Sequence, residues 1–363
     1  MRKILIIITT DFVPFGGLTT VMMNYYRALD KSKYSFDFAS TNYDIDQRLL
    51  EELKENGSEY YCLGNRKRNL IIYIQNLRNL IKAKQYDIIH VNSNSATAAI
   101  ELLIAKQLNV SKRIVHNHTS ECDHKLIHKL LYPAFKHSYT DAVAVSKKAG
   151  AWIFPDGVFT VLNNGINTDR YRFSQKKREI IRNRYGVDDK TIVIGHLGKI
   201  YKPKNHRFLI DIFEAYHSDV HNSILLLVGD GEMRNEIEQI VLEKGLKNCV
   251  IFAGMQKEVE NYLSAMDVFV FPSLWEGMPL SVIEAQASGL HCIISDSIDK
   301  DVCLTDYIQS LSIEVNPCVW ANCIKELQVI NRVESSQINI QKIKEANYDS
   351  NVNSISLENI YDS

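Results

Sequence analysis

Apolar residues fall along this chain in short runs closed by turns, and between the runs they recur at helical spacing. In the first half the runs are KILIIIT (3–9), SFDFAS (35–40), DIIHVN (87–92), RIVHNH (113–118), DAVAVS (141–146) and TVLNNG (160–165). Between them lie amphipathic stretches such as LTTVMMNYYRALD, QRLLEELKENG, YIQNLRNLIKAKQ and ATAAIELLIAKQLN. A short apolar run bounded by turns reads as a strand buried on both faces, and recurrence at three and four residues reads as a helix. The charged stretch NTDRYRFSQKKREIIRNRYGVDDK (167–190) interrupts the pattern, which then restarts. Strands are predicted at TIVIGHLG, SILLLVGDG, CVIFAG, DVFVFPS and HCIISD, separated by the helices HRFLIDIFEAYHS, MRNEIEQIVLEKG, EVENYLSAM and LSVIEAQASG. Buried strands alternating with helices give a parallel sheet. The pattern therefore predicts an α/β protein with two Rossmann-like, doubly wound domains, residues 1–165 and 166–340, joined near 166–177. Ligands of such sheets bind outside the carboxyl ends of the strands. Two facing sheets would place those loops across a shared cleft.

Composition narrows the picture. At 363 residues, two domains of ordinary size are expected. A hydrophobic share of 45% with 23% charged residues describes a soluble globular chain. Net charge is −1, which excludes a protein built to hold nucleic acid by electrostatics. That total hides a split: residues 1–165 carry 21 Lys/Arg against 15 Asp/Glu, net +6, and the rest carries 21 against 28, net −7. The asymmetry fits a face for an anionic partner, phosphate or membrane, and equally fits ordinary surface variation. The seven cysteines are scattered and contain no C-x-x-C pair, as expected for reduced thiols in a cytoplasmic protein. The apolar run Ile4–Ile8 is closed by Asp11 with no small-residue cleavage site, so it reads as a strand and not a signal peptide. No run approaches the ~20 apolar residues that span a bilayer.

The candidate chemistry sits on the strand-end loops. Gly16-Gly17 follows the first strand and precedes a helix, where glycines let backbone amides approach an anion; a plain connecting turn explains them as well. VGDGEMR gives G-x-G after a strand but has Arg234 where a dinucleotide fingerprint needs its third glycine, which disfavours NAD. In GHLGKIYKPKNHRFLI, Lys199 and Lys204 lie five apart between a strand and a helix, suited to a diphosphate, although lysine-rich loops are commonly just solvated. The most specific stretch is SLWEGMPLSVIEAQASGL (273–290). Pro279 is placed as a first-turn proline and Gly289 closes the helix. Glu276 then lies at the mouth of the loop, Gly277 frees the backbone, and Glu284 lies inside the helix. Free amides at the helix start offer a diphosphate site, with a carboxylate on either side to accept hydroxyl groups. A ligand with a hydroxylated ring at each end of a diphosphate is a nucleotide sugar. An acidic helix start accounts for Glu276 alone, and not for Glu284 or the Gly-Met-Pro spacing.

EGMPLSVIEAQASG resembles the E-x7-E signature of retaining nucleotide-sugar glycosyltransferases of the GT-B fold, the family 4 or group 1 type. FGGLTTVMMN, RIVHNHTS, VAVSKKAGAWIF, NNGIN, GKIYKPKNHRFLI, VGDGE and DVFVFPSLWEGMPLSVIEA also resemble family segments, in the family's order. The likeness covers most of the chain and is most specific at 267–289, with the character of exopolysaccharide, capsule or O-antigen assembly transferases. It implies that Glu276 contacts hydroxyls of the donor sugar and Glu284 the ribose. Lys199 and Lys204 would neutralise the leaving diphosphate with amides near Leu280. Gly16 and Gly17 would lie close to the phosphates and acceptor, and His118 beside the reacting sugar. Many relatives carry arginine where this chain has Lys199, so the planar bidentate contact is lost there. By the same analogy the terminal segment, 341–363, crosses back to the first domain.

The implied activity is transfer of a hexosyl or N-acetylhexosaminyl unit from a nucleoside-diphosphate sugar to a glycan, with retention and with no cofactor or essential metal. The implied acceptor is carried on a polyprenyl diphosphate at the inner face of the cytoplasmic membrane. Two rival readings stand beside it: a nucleotide-sugar epimerase on the same fold, and a non-catalytic scaffold. Asp44-Ile45-Asp46 is a D-x-D string in a polar loop of the wrong architecture. His116 with His118, and His124 with His128, lack the accompanying ligands of a metal site. The basic residues Arg66, Lys67, Arg68, Lys82, Lys84, Lys125, Lys129 and Lys136 fit an anionic membrane face and a solvated face equally.

Overall fold

The computed structural model describes every residue except Phe15, the first residue of the FGGLTT stretch. The described residues divide into two compact units, 1–165 with 350–363, and 166–349.

In the first unit the strands are β1 (Arg2–Ile8), β2 (Tyr34–Ser40), β3 (Tyr60–Cys62), β4 (Ile88–Ser93), β5 (Lys112–Asn117), β6 (Asp141–Ala144) and β7 (Thr160–Val161). They form one sheet in the order β3-β2-β1-β4-β5-β6-β7, and every pair is parallel. Helices α1 (Gly17–Ala28), α2 (Gln47–Glu55), α3 (Leu70–Lys84), α4 (Ala99–Gln107), α5 (Lys125–Lys136) and α6 (Lys147–Ile153) connect them. Leu5, Ile7, Ile89, Val91 and Val115 pack on one side of this sheet against Tyr73, Leu77 and Leu102 of the helices.

The second unit opens with α7 (Gln175–Arg184) and continues through β8 (Ile192–Leu197), α8 (His206–His217), β9 (Ser223–Val228), α9 (Arg234–Glu243), β10 (Val250–Gly254), α10 (Val259–Ala265) and β11 (Val268–Phe271). It closes with α11 (Leu280–Ala287), β12 (His291–Ser295), β13 (Ile308–Leu311), α12 (Pro317–Lys325) and α13 (Arg332–Glu345). Its sheet runs β10-β9-β8-β11-β12-β13, again all parallel. Val193, Leu226, Phe269 and Ile294 fill one face, and Ile194, Leu225, Val270 and Ile293 fill the other. That period-two split within continuous apolar strands is what a sheet covered by helices on both faces requires.

Helix α13 belongs whole to the second unit, so the chain passes to the first at residue 350. There α14 (Ser350–Asp362) docks through Tyr361, whose hydroxyl lies 2.8 Å from His90 Nδ1, and through Glu358, which pairs with Lys33 at 3.2 Å. The charged stretch 167–190 is not a plain linker: Arg178 and Arg182 of α7 hold Asp267 at 2.8 and 2.6 Å.

In both sheets the strand order reverses once, between β1 and β4 and between β8 and β11. The reversal splays two adjacent loops apart at the strand carboxyl ends, which is where doubly wound sheets bind ligands. In the second unit those loops are 198–205 and 272–279. Glycines let the 198–205 loop sit down on its neighbour. Gly198 N donates to Val228 O, Ile200 N donates to Asp230 O, and a Cβ at Gly231 would fall 2.2 Å from Ile200 O. Because the obstacle is backbone, Gly231→Ala should cost about 1–3 kcal/mol in urea unfolding. Gly277→Ala, with nothing within 4 Å of the added carbon, should leave stability nearly unchanged in the same assay.

Candidate functional site

Lys204 ends a short 3-10 turn (Lys202–Lys204) after β8, and Asn205 in the left-handed region (φ 54°) turns the chain into α8. Leu274 N donates to Pro203 O at 2.8 Å and so ties the loop after β11 to that turn. The tie brings Lys204 Nζ to 2.7 Å from Glu276 Oε1, with the side chains only 10% and 18% exposed. The contact lies off hydrogen-bond alignment and leaves Glu276 Oε1 without an aligned donor. It is therefore an ion pair held by charge. The ammonium also lies 4.3 Å from the centre of the Phe271 ring. Burial lowers the Lys204 pKa, and Glu276 opposes that shift.

Around this pair the interior is polar and under-satisfied. His196 Nδ1 donates to Val270 O at 2.9 Å, which fixes Nε2 as a bare lone pair. Neither that atom nor either ring nitrogen of His206 nor Ser273 Oγ has a partner among the described residues, though all are buried. The two imidazoles lie 4.7 Å apart. Burial, then Lys204, holds His206 neutral, with a pKa of about 4. Orphaned buried polar atoms are rare enough in folded proteins to mark a place for a polar ligand or ordered water.

Helix α11 begins at Leu280 with Pro279 at its N-cap, one place earlier than a first-turn proline. Its start has no side-chain cap and no acid in the first turn, so its leading amides stay available to an anion. Gly277 lies in the connecting loop with open space on its Cβ side. Glu284 points inward from the middle of α11 and is buried. Burial raises its pKa to about 7, against the lowering effects of the Tyr171 hydroxyl and Arg170. Arg170 is itself paired with Glu260 of α10 at 3.0 Å. Lys199 belongs to the same loop as Lys204, but its ammonium pairs with Glu232 at 2.9 Å in solvent, each side chain 60% exposed.

In the first unit, Gly16 is the N-cap of α1 and Gly17 its first residue, and this helix start also lacks a side-chain cap. His118 follows β5, and its Nε2 donates to Asn92 Oδ1 at 2.9 Å. Its ring centre lies 4.2 Å from that of His116, tilted by 35°, and His116 Nδ1 is 3.3 Å from His90 Nε2. Burial, then His90, keeps His118 neutral, with a pKa of about 3.

Thus Lys204, Glu276, Gly277, Leu280 and Glu284 lie on two tied loops and one helix of the second unit. Gly16, Gly17 and His118 lie on strand-end loops of the first. Missing from the sequence reading were His196, His206 and Ser273 near Lys204, and Tyr171, Arg170 and Glu260 behind Glu284. The D-x-D string is structural: Asp46 caps α2, accepting from Arg48 N at 3.0 Å. Among the described residues no group of three or more His, Cys, Asp or Glu side chains is arranged to hold a metal ion.

Two Rossmann-like units of this strand order are the GT-B architecture. The structure of HepE from Anabaena, in complex with UDP and glucose, superposes with a TM-score of 0.76 at 17% identity, covering 99% of both chains. A family model described as glycosyl transferases group 1 matches residues 191–327, and one described as Glycosyltransferase Family 4 matches 15–170. The chain belongs to this family of glycosyltransferases. It is 29% identical over 359 residues to a Bacillus subtilis protein assigned as the glycosyltransferase EpsF, spanning 95% of this chain and 93% of that one. It is 26% identical over 258 residues to the UDP-Gal:α-D-GlcNAc-diphosphoundecaprenol α-1,3-galactosyltransferase of Escherichia coli, 66% and 65% of the two chains.

Proposed function

We propose that this chain transfers a hexosyl or N-acetylhexosaminyl unit from a nucleoside diphosphate to a glycan hydroxyl with retention at the anomeric carbon. The acceptor is a growing surface polysaccharide carried on a polyprenyl diphosphate at the inner face of the cytoplasmic membrane. The observation that carries the reading is the Lys204–Glu276 pair, 2.7 Å apart at the β8/β11 switch point beside the uncapped start of α11.

In this reading Lys204 and the amides at Leu280 take the charge that builds on the departing diphosphate, with Lys199 at the rim. A fixed cation and fixed dipoles then do what a divalent metal does in other transferases. Glu276 accepts from hydroxyls of the donor sugar, and Glu284 from the ribose. Gly16 and Gly17 admit phosphate or acceptor close to backbone, and neutral His118 offers a hydrogen bond beside the reacting sugar. The bond from C1 to the phosphate oxygen breaks, the bond from C1 to the acceptor oxygen forms on the same face, and the acceptor proton passes to the leaving phosphate oxygen. The UDP and glucose held by HepE support the donor class, and the lipid diphosphate acceptor of the Escherichia coli relative supports the acceptor.

A panel of nucleotide sugars, assayed for released nucleoside diphosphate, should give slow hydrolysis with one donor, and NMR of the coupled product should give the donor's own anomeric configuration. Turnover should survive EDTA. An inverted product, or activity lost in EDTA and restored by magnesium or manganese, sinks the mechanism. Isomerised donor without diphosphate release makes the chain an epimerase, and silence with every donor makes it a scaffold.

A further inference from the structure

Helix α5 is built unlike the other helices of its unit. Of its twelve residues only Phe135 is buried. Leu126 and Leu130, one turn apart, are 84% and 79% exposed, and Ile127 beside them is 49% exposed. Three exposed large apolar residues on one helix form a patch that a free-standing soluble surface does not need. Lysines interleave with them at 125, 129 and 136, and the helix contains no acidic residue, although Glu121 and Asp123 precede it. Lys136 is near Asp156 at 3.4 Å, whereas Lys125 and Lys129 make no ion pair among the described residues.

The helix is nonetheless anchored. Phe135 packs against Tyr139 and Phe154, and Ala96 N donates to His128 Nδ1 at 3.2 Å. The neighbouring face of α5 opens on a cavity of about 450 Å³, walled by His128, Tyr132, Trp152 and Pro155 with Lys125 and Lys129 at its side. The His128 and Trp152 rings stand 5.0 Å apart. Amphipathic aromatics beside exposed leucines and unpaired lysines are the composition of a helix lying at a lipid–water boundary. Of the other members of the basic set, Arg66 binds buried Glu101 at 2.8 Å and Lys84 binds Glu59 at 3.1 Å, while Lys67, Arg68 and Lys82 lie outside α5 and make no ion pair among the described residues.

We propose that α5 is the surface by which this protein docks on an anionic bilayer. Leu126, Ile127 and Leu130 enter the headgroup–acyl boundary, and Lys125 and Lys129 lie among the lipid phosphates. Charge complementarity selects this occupant, because a protein partner for the same leucines would not need unpaired lysines between them. Helix α5 begins a short loop after His118, so docking would hold that strand end near the lipid surface. The purpose, though not the geometry, rests on the lipid-carried acceptor proposed above.

The test is co-sedimentation of the full chain with vesicles of phosphatidylglycerol and phosphatidylcholine, or of phosphatidylcholine alone, at low and high salt. Wild type should bind the anionic vesicles, bind neutral ones weakly, and release in high salt. Lys125→Gln with Lys129→Gln should lower affinity roughly fivefold per lysine, the equivalent of ~1 kcal/mol each at an anionic surface. Leu126→Ser with Leu130→Ser should lower it at least about tenfold while leaving the melting curve and nucleoside diphosphate binding as in wild type. Equal binding to neutral vesicles, or binding unaffected by both double variants, overturns the proposal. So does a wild type that ignores vesicles but forms dimers that the leucine changes dissolve, since α5 would then be a self-association face. Donor hydrolysis is read separately: vesicle binding without it leaves docking standing and sinks the transfer reading, and hydrolysis without vesicle binding does the reverse.

Discussion

Glu276→Ala should lower kcat by about 10²–10³-fold while changing the affinity for free nucleoside diphosphate by less than about threefold. The asymmetry follows from where the carboxylate stands. In the proposed site Glu276 meets the sugar, whose anomeric centre gains positive charge only as the bond to phosphate breaks, so the interaction is strongest in the transition state. In the same proposal the nucleotide is held elsewhere, by Lys204, the α11 amides and Glu284. Removing the carboxylate also strands the Lys204 ammonium, 10% exposed and 2.7 Å from its lost partner. An uncompensated buried charge is costly, so the variant should melt lower than wild type. Nucleoside diphosphate, bound with nearly unchanged affinity, should stabilise the variant by about as much as it stabilises wild type. Glu276→Gln keeps the shape and an acceptor oxygen and should lose less stability but most of the activity. Calorimetry showing diphosphate binding abolished with residual turnover intact would mean the carboxylate serves the nucleotide.

How much of this could be read from the chain depends on how local the cause is. The central strands of both sheets are continuous apolar runs between turns, and the predicted two-domain α/β architecture rests on them. The peripheral strands β3 and β13 carry no such signal, whereas the peripheral β7 (Thr160–Val161) falls in the run TVLNNG. Ile308–Leu311 reads IQSL and is half exposed at a sheet edge, where one covered face suffices. Helix α7 was hidden because QKKREIIRNR has only two apolar residues and is held by the arginine pairs to Asp267. The site divides the same way. Glu276, Gly277 and Glu284 fall in one stretch whose spacing is itself the signal. Lys204 and Lys199 looked alike in sequence, and only the tie from Leu274 to Pro203 shows that the first is buried against Glu276 while the second is in solvent. The glycines of VGDGE, which lack the third glycine of a dinucleotide fingerprint, serve a backbone contact with Gly198 and Ile200 that no local pattern encodes.

Glu284→Gln should weaken binding of free nucleoside diphosphate by roughly 1.5–3 kcal/mol, the worth of well-made hydrogen bonds to a charged group, and should at the same time stabilise the protein above neutral pH. The two effects have one source. Glu284 is buried in the middle of α11, and burial lifts its pKa from 4.5 to about 7 in the folded chain. The folded state therefore holds a proton there that the unfolded state has given up. Its contribution to stability is intact below pH 4.5, falls as the pH rises towards 7, and stays lost above that. Integrated, the loss is up to about 3 kcal/mol, and the neutral amide avoids it. Unfolding midpoints of wild type and variant should converge near pH 4.5 and separate by pH 8, with the variant higher. Ribose hydroxyls donating to Glu284 favour its charged form, so at pH 6–7 nucleotide binding to wild type should expel a proton. Calorimetry in buffers of different ionisation enthalpy measures that release, and Glu284→Gln should lack it. Tyr171→Phe removes the hydroxyl that favours the carboxylate and should move the proton release to higher pH with the nucleotide still bound. Equal diphosphate affinity in folded Glu284→Gln and wild type would return this residue to a buried acid of α11 with no part in the donor site.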